Sequence, residues 1–380
     1  NGTMKLEYFN KDFWLDTKPG ATVIGSIKYS TDWYTDRAVD IIAATARGAA
    51  ELEQSQPARL WLHLPYQAVH APYTAPPPSE AIPYNPAVCS AQGDPSINPS
   101  ETLCATYGTM VHEMDVGIAR VVGALQATGR WSNTLLLFTS DNGAPMASNE
   151  PGNNHPLYGM KTTPWEGGSR VAAMLAGGFL PSHLRGTRSS TFVHIADWYG
   201  IFSSLVGVDP SDTARTTHDV DALNLWPMLT AGQGGNTTSP RSFLPLSSAA
   251  LVYNSRWKLI TSARPSLRAT ANNTRAAGTV ACGGADPPCL FDLLADPGET
   301  SNLQAEQPAL VAMMARQLRT YSVYTSVNMT AAELANYNCI SDRGPGPTSN
   351  PNFWPPNPDW PWGPPRYPDV FAGPCCFRKT

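Results

Sequence analysis

Three short polar segments of this 380-residue chain carry side chains that could do chemistry. Thr139-Ser-Asp141-Asn142-Gly143 sets a carboxylate beside an amide oxygen, and hard divalent cations such as Ca²⁺ or Mg²⁺ take oxygen ligands of this kind. Gln67-Ala-Val-His70-Ala-Pro72 offers an imidazole that could bind an anion or shuttle a proton. Gly159-Met-Lys161-Thr-Thr-Pro-Trp165-Glu166-Gly-Gly-Ser-Arg170 offers an ammonium that could hold an anionic group. Each also has a plain structural reading. Asp-Asn-Gly is an ordinary turn, a loop histidine is more often structural, and a lone loop lysine is usually a solvated charge. What raises them together is their position after consecutive expected strands, because ligands of open α/β sheets bind beyond the carboxyl ends of the strands.

The elements that must position these segments follow from periodicity. Val39, Ile42, Ala43, Ala46 and Ala50 recur at helical spacing and predict a helix over 36–53, with Asp36 in its first turn. Met110, Met114, Ile118, Val121, Val122 and Leu125 predict a second over 101–128, capped by Ser100 and stopped by Gly129. The apolar runs 60–66 and 134–139 read as buried strands. Strand, long helix, strand is the grammar of a parallel α/β sheet. A helix is expected over 192–206, and short strands over 249–253 and 257–261. Asp296-Pro-Gly-Glu299 reads as a turn, and 308–324 as a last helix. Beyond Cys339 the chain is rich in Pro, Trp and Asn. Trp354, Trp360 and Trp362 point to a tail that packs on the body.

Composition narrows the partners. Net charge is −4, which argues against nucleic acid, since phosphate binding needs a basic face. No apolar run approaches the ~18 residues of a membrane helix. There are seven cysteines. Cys89 and Cys104 bracket one polar loop, and Cys282 and Cys289 another. Both pairs are disulfide candidates, and the odd count leaves one thiol free or paired outside the chain. Sequons at Asn1, Asn236, Asn272 and Asn328 are glycosylation candidates. Together these features place the chain in a secreted, extracellular or lysosome-like lumenal setting. The chain does not start with Met, and its natural N-terminus is expected elsewhere.

At this point a family resemblance emerges. The segments LWLHLPYQAVHAP (60–72), YGTMVHEMDVGIARVVGALQATGRWSNTLLLFTSDNG (107–143) and NNHPLYGMKTTPWEGGSR (153–170) resemble those of the sulfatases, most closely the arylsulfatase B (N-acetylgalactosamine-4-sulfatase) branch. VHIADWYGIFSSLVGV (193–208), NSRWKLI (254–260) and LFDLLADPGETSNL (290–303) continue the match in collinear order. The resemblance implies an alkaline-phosphatase-like α/β fold, a mixed sheet flanked by helices and only partly present here, with a smaller C-terminal domain built on an antiparallel sheet. The expected division is 1–240 for the C-terminal part of the catalytic domain, 241–335 for the small domain and 336–380 for the tail.

The resemblance also implies roles. In the family a cysteine in Cys-x-Pro/Ala-x-Arg becomes formylglycine, whose hydrate attacks sulfur beside a divalent cation, usually Ca²⁺. Asp141 and Asn142 match metal ligands, His70 the histidine on the sulfate and leaving-group side, and Lys161 the sulfate-binding lysine. His155, near Lys161 in sequence, is a further substrate-contact candidate. Trp165, Glu166 and Arg170 are expected to shape the loop, and His63, His112 and His194 to be structural. The family's first-strand Asp-Asp pair and its formylglycine motif are absent. Ser55-Gln-Pro57-Ala-Arg59 matches Ser-x-Pro-x-Arg literally but lies in the linker between an expected helix and strand. The expected function is therefore sulfuric ester hydrolysis on a sulfated sugar or polysaccharide, with this chain as the part lacking the nucleophile. Its missing N-terminal portion would be a partner, and the odd cysteine offers a bridge to it. The alternative is a catalytically inactive, sulfatase-like structural or binding component of an extracellular assembly. A metal-dependent phosphatase or phosphodiesterase is disfavoured, because such sites use more Asp and His ligands than are available.

Overall fold

The computed structural model describes residues 14–15, 18–19, 29–51, 59–74, 99–146, 149–189, 191–211, 220–231, 240–269, 275–278 and 280–325. The sequons at Asn1, Asn236, Asn272 and Asn328, together with Cys89 and the 336–380 tail, lie outside the described residues. The chain divides into two compact units, Asn1–Leu318 and Arg319–Thr380. Of the second, the described residues are the last turns of the final helix.

Two short strands, β1 (Trp14–Leu15) and β2 (Lys18–Pro19), pair antiparallel. Helix α1 (Ser30–Glu51) starts earlier than its apolar period predicts. Its buried stripe runs Thr31, Thr35, Ala38, Ile42, so two threonines that read as polar line the inner face. The Thr35 hydroxyl is satisfied there by the Thr31 carbonyl at 2.7 Å and shares a 2.8 Å bond with the Tyr66 hydroxyl. Asp36, expected in the first turn, instead pairs with Arg120 of helix α2 (Glu101–Ala127). Helix α2 begins as expected, with the Leu103 N–H donating to Ser100 Oγ at 3.2 Å, and it ends before Gly129 at φ 70°.

The two helices share a core of Ala38, Ile42, Val121 and Leu125, with Leu60, Leu62 and Leu64 packed against it. Full burial of a residue such as Ile42 stabilises the pair by about 2–3 kcal/mol. Residues 60–66 alternate in exposure, Trp61 facing out at 70%, but they pair with no strand among the described residues. The expectation of a strand here is corrected for a physical reason. Alternating side chains give one apolar face, but a strand needs a second backbone to accept its hydrogen bonds.

The second expected strand is present as β3 (Leu136–Thr139). It pairs antiparallel with β4 (Ala173–Ala176), Leu136 opposite Ala176 and Thr139 opposite Ala173. The parallel arrangement expected from strand–helix–strand order is not found among the described residues, because the partner of β3 is supplied from downstream and returns in the opposite direction. Between them lies the short helix α3 (Glu166–Ser169). Helix α4 (Asp197–Leu205) starts later than the expected 192. Asp197 makes its start, accepting the His194 N–H at 2.8 Å and the Leu223 N–H at 3.0 Å and pairing with Arg241. Its Trp198 and Ile201 join Leu225, next to helix α5 (Trp226–Thr230), and Leu137 and Leu175 of the β3–β4 ribbon pack against them.

Strands β5 (Phe243–Ser247), β6 (Ala250–Tyr253), β7 (Trp257–Ile260) and, later in the chain, β10 (Cys289–Asp292) form an antiparallel sheet in the order β10-β7-β6-β5. A hairpin of β8 (Leu267–Ala269) and β9 (Arg275–Ala277) lies between them in sequence. The expected Cys282–Cys289 disulfide is present, and Cys104 is also disulfide-bonded. Helix α6 (Pro308–Thr325) follows, with Met314 and Leu318 buried. One face of the sheet, carrying Ala250, Val252, Ile260, Cys289 and Phe291, packs on Tyr158 and Trp165. These two aromatics flank Lys161 in sequence, so this sheet anchors the loop that carries it.

Candidate functional site

The loops bearing the candidate residues are locked together by backbone contacts. Asn154 does most of this: its Oδ1 accepts the Ala144 N–H at 2.8 Å, and its Nδ2 donates to the carbonyls of Ala144 and Gly159 at 2.8 and 3.1 Å. The Lys161 N–H then donates to the Ala144 carbonyl at 3.2 Å, and the Gly143 N–H to the Gly168 carbonyl at 3.0 Å. Gly143 admits no larger residue, because a Cβ there would lie 1.7 Å from the Gly167 carbonyl oxygen. Gly159 turns at φ 87° with its α-carbon against the Trp165 ring, a conformation that glycine adopts without penalty. The Asp-Asn-Gly turn and the lysine loop thus form one rigid unit.

His70, Asp141, Asn142 and Lys161 line one cleft. Lys161 Nζ lies 3.3 Å from His70 Nε2, although the two are 91 residues apart. The other imidazole nitrogen, Nδ1, is 2.8 Å from the Ala71 carbonyl oxygen. A carbonyl can only accept, so Nδ1 carries the proton in this arrangement and Nε2 turns its lone pair to the Lys161 ammonium. His70 is exposed and Lys161 half-buried, so an incoming anion can reach both.

Asp141 sits at the C-terminal end of β3, exposed, with Asn142 half-buried beside it. Asp141 Oδ1 accepts the Asn142 N–H at 2.8 Å and Asn142 Nδ2 at 2.9 Å. Rotating that amide end for end would turn its oxygen toward the same carboxylate oxygen, an arrangement favoured only with a cation between them. The donors are therefore right in kind for Ca²⁺ but not in number. Ca²⁺ takes about six to eight oxygens, and no group of three or more His, Cys, Asp or Glu side chains gathers among the described residues. By themselves these residues do not complete a cation site.

Other expected residues go elsewhere. His155 does not line the cleft. Its Nδ1 lies 3.1 Å from the Ala269 carbonyl of β8, so it ties the loop to the hairpin. His194 is half-buried at the start of α4 with its pKa lowered, chiefly by burial and then by Arg241, in keeping with a structural role. Trp165 and Glu166 are buried and shape the loop, and Arg170 is exposed, 3.8 Å from Glu166.

Sequence reasoning missed one charged cluster under this loop. Lys258, fully buried, projects from the centre of the apolar sheet face, its backbone opposite Val252 and Phe291. Its ammonium lies 2.9 Å from Glu166 Oε1 and 3.0 Å from Glu299 Oε1. Glu299 Oε2 accepts the Glu166 N–H at 2.7 Å. Burial pushes the Glu299 carboxyl up to about 7, and Lys258 pulls it only part of the way back. The missed signal was Lys258 between apolar neighbours in a four-residue strand. In an isolated sequence it reads as the wet face.

Comparison with known proteins agrees with this architecture. The sulfatase family model matches residues 4–208, more than half of the chain, and the chain belongs to the sulfatase family. It is 27% identical to mouse arylsulfatase J over 318 residues, covering 77% of this chain and 49% of that protein. It is 31% identical to mouse steryl-sulfatase over 226 residues, 54% of this chain and 34% of that one. Against mouse N-acetylgalactosamine-6-sulfatase it is 36% identical over 136 residues, covering 35% and 25% respectively. The chain thus spans half or less of the length of these relatives. Among solved structures, Ps i-CgsB in complex with k-i-k-neocarrahexaose superposes with TM-score 0.57 at 23% identity, covering 81% of this chain and 57% of that one. A Bacteroides thetaiotaomicron protein from a locus for metabolism of multiple glycosaminoglycans gives 0.53 at 19%, covering 82% and 59%. These likenesses show the fold. No helix among the described residues is long and apolar enough to cross a membrane.

Proposed function

We propose that this chain is part of a sulfuric ester hydrolase acting on sulfated carbohydrate, with the nucleophile and the rest of the metal shell supplied from outside these 380 residues. The observation that supports this is the convergence of His70 and Lys161 at 3.3 Å in a cleft also lined by Asp141 and Asn142. Lys161 would neutralise charge on the sulfuryl oxygens, where a preoriented cation stabilises the transition state most. His70, held by the Ala71 carbonyl, would donate to the ester oxygen from Nε2 only after that nitrogen gains a proton, from solvent or from the Lys161 ammonium beside it. Once protonated there, it could pass that proton to the departing alcohol. Asp141 and Asn142 would form one side of a divalent-cation shell, Ca²⁺ by family resemblance, and the ion when bound would add positive charge at the sulfuryl group. Formylglycine would belong to the missing N-terminal portion. A carbohydrate substrate and the arylsulfatase B-like branch are supported by motif resemblance, and a secreted or lysosome-like lumenal setting by the cysteines and sequons. The division into 1–240, 241–335 and 336–380 is part of the same reading.

The test begins with native material. Intact mass is measured under reducing and non-reducing conditions with N-terminal peptide mapping, followed by sulfate release from a sulfated oligosaccharide. The expected result is a preceding or disulfide-linked segment carrying formylglycine, with turnover abolished by Lys161→Met and His70→Gln. Binding of the sulfated sugar without turnover in the complete native protein would favour the inactive binding component. No binding and no turnover would sink both.

A further inference from the structure

Both site loops rest on helix α3, and α3 is held from a distant part of the chain. The Gly143 N–H donates to the Gly168 carbonyl at 3.0 Å, and the Ser140 N–H donates to the Ala172 carbonyl at 3.3 Å. Asp141 and Asn142 are thus fastened on both sides to the α3 segment. On its other side, Gly168 packs against the lysine loop. A Cβ there would lie 2.4 Å from the carbonyl oxygens of Met160 and Thr163, which bracket Lys161. A shift of α3 would therefore disturb the carboxylate–amide pair and the ammonium together.

Glu299 sets where α3 starts. Its Oε2 accepts the N–H of Glu166, the first residue of the helix, at 2.7 Å. Its Oε1 lies 3.0 Å from Lys258 Nζ, which reaches Glu166 Oε1 at 2.9 Å. One carboxylate would balance Lys258. The second adds buried charge, and what it supplies beyond charge is an acceptor for a buried backbone N–H.

The backbone of Glu299 supports the same assignment. It sits at φ 54°, in the left-handed region where a Cβ is disfavoured. The turn is locked around it. The Glu299 N–H donates to the Asp296 carbonyl at 3.1 Å, and Asp296 Oδ2 accepts the N–H groups of Thr300 and Ser301 at 2.7 and 2.9 Å. Arg268 Nη1 donates to the Gly298 carbonyl at 2.9 Å. Glycine would satisfy such a turn without strain, but it would lack the carboxylate. Strained residues that their surroundings over-determine gather at functional sites.

We propose that Glu299 is a positioning residue for the hydrolytic site: through α3 it holds the Lys161 loop and the Asp141–Asn142 turn in place, and so sets the anion affinity at His70–Lys161. This rests on the reading of that pair as the sulfate site.

The test titrates inorganic sulfate into the full-length chain at pH 6. The ¹⁵N resonances of the His70 imidazole report its contact with Lys161. Glu299→Ala should weaken sulfate about tenfold, as when one charge-assisted contact is loosened, and shift the His70 signals. Glu299→Gln keeps an acceptor for the Glu166 N–H and should stay within about threefold of the unaltered chain. Leu259→Ala is the control for lost stability alone. Leu259 is buried on the opposite face of the same sheet, against Leu251 and Leu290, and its truncation leaves a cavity without touching α3. It should leave sulfate affinity and the His70 signals unchanged. Thermal melts confirm folding. Should Glu299→Ala not fold, Glu299→Asp, which retracts the carboxylate by one methylene, must show the same loss. Parity of the truncated variant with the unaltered chain, or an equal loss in Leu259→Ala, overturns the proposal. If Lys161→Met abolishes sulfate binding in that case, the reading of the site stands. If Lys161→Met leaves sulfate binding unchanged, both are overturned.

Discussion

Two clusters of charge meet one loop, residues 159–170, and they use similar side chains for opposite ends. In one, Lys258 is enclosed with Glu166 and Glu299, all essentially dry. In the other, Lys161 meets His70 in a cleft that Asp141 and Asn142 also line. A lysine paired in the interior has spent its charge on neighbours and can only hold the loop. A half-exposed lysine facing an imidazole lone pair keeps its charge available to an anion. The environment, and not the residue type, separates the buried lysine from the available one.

The largest expected effect comes from breaking the buried side of this contrast. Lys258→Met should cost about 3–5 kcal/mol, because it strands two carboxylates in the core; urea unfolding measures it. A loss below 1 kcal/mol would mean that the cluster is hydrated and the contrast false.

The second prediction concerns pH. Glu299 is an acid whose pKa is raised on folding, so the native state binds its proton more tightly than the unfolded chain does. Stability from this group is therefore fully present below the unfolded value near 4.5 and is lost as pH rises through about 7. The groups facing it are Lys258 from β7 and Glu166 from α3, with Arg170 beyond Glu166. The loss is at most about 3 kcal/mol between those values. Glu299→Gln should flatten this part of a melting-temperature profile; an unchanged slope would assign it to another group.

A smaller effect should follow from Asn154→Ala, which removes three hydrogen bonds between the two site loops. We expect a loss of about 1–3 kcal/mol together with weaker anion binding at Lys161, read by inorganic sulfate titration. Unchanged binding would show that the glycine contacts suffice. The smallest is Lys161→Met, within about 0.5 kcal/mol in stability yet abolishing sulfate-ester binding. A large destabilisation there would erase the distinction between the two clusters.

Legibility in the sequence tracked how local the cause was. Helix α2 could be read because its apolar period, its Ser100 cap and the Gly129 stop all lie within the helix or next to it. The Cys282–Cys289 disulfide closes a loop of a few residues. His70, Asp141, Asn142 and Lys161 were legible as short polar motifs after apolar runs. The 60–66 strand failed because pairing is a property of two segments, and β3 turned out to pair backwards with β4 for the same reason. His155, read as a substrate-contact candidate from its place near Lys161, has Nδ1 3.1 Å from the Ala269 carbonyl, a contact 114 residues away that no local pattern announces. Tyr73 and Glu150, 77 residues apart, carry no local sign that they meet.

By itself, then, the amino-acid order determined the bodies of the longer helices, the Ser100 cap of α2 and the family motifs, because these depend on neighbours within a few residues. It also determined that the cleft residues carry carboxylate, amide, imidazole and ammonium groups. Only the tertiary structure decided which lysine is buried and which is available. That choice depends on desolvation and on partners 92 and 91 residues away, Glu166 for Lys258 and His70 for Lys161. The sheet face that closes over Lys258 takes its side chains from three separate strands, and no window along the chain contains them all.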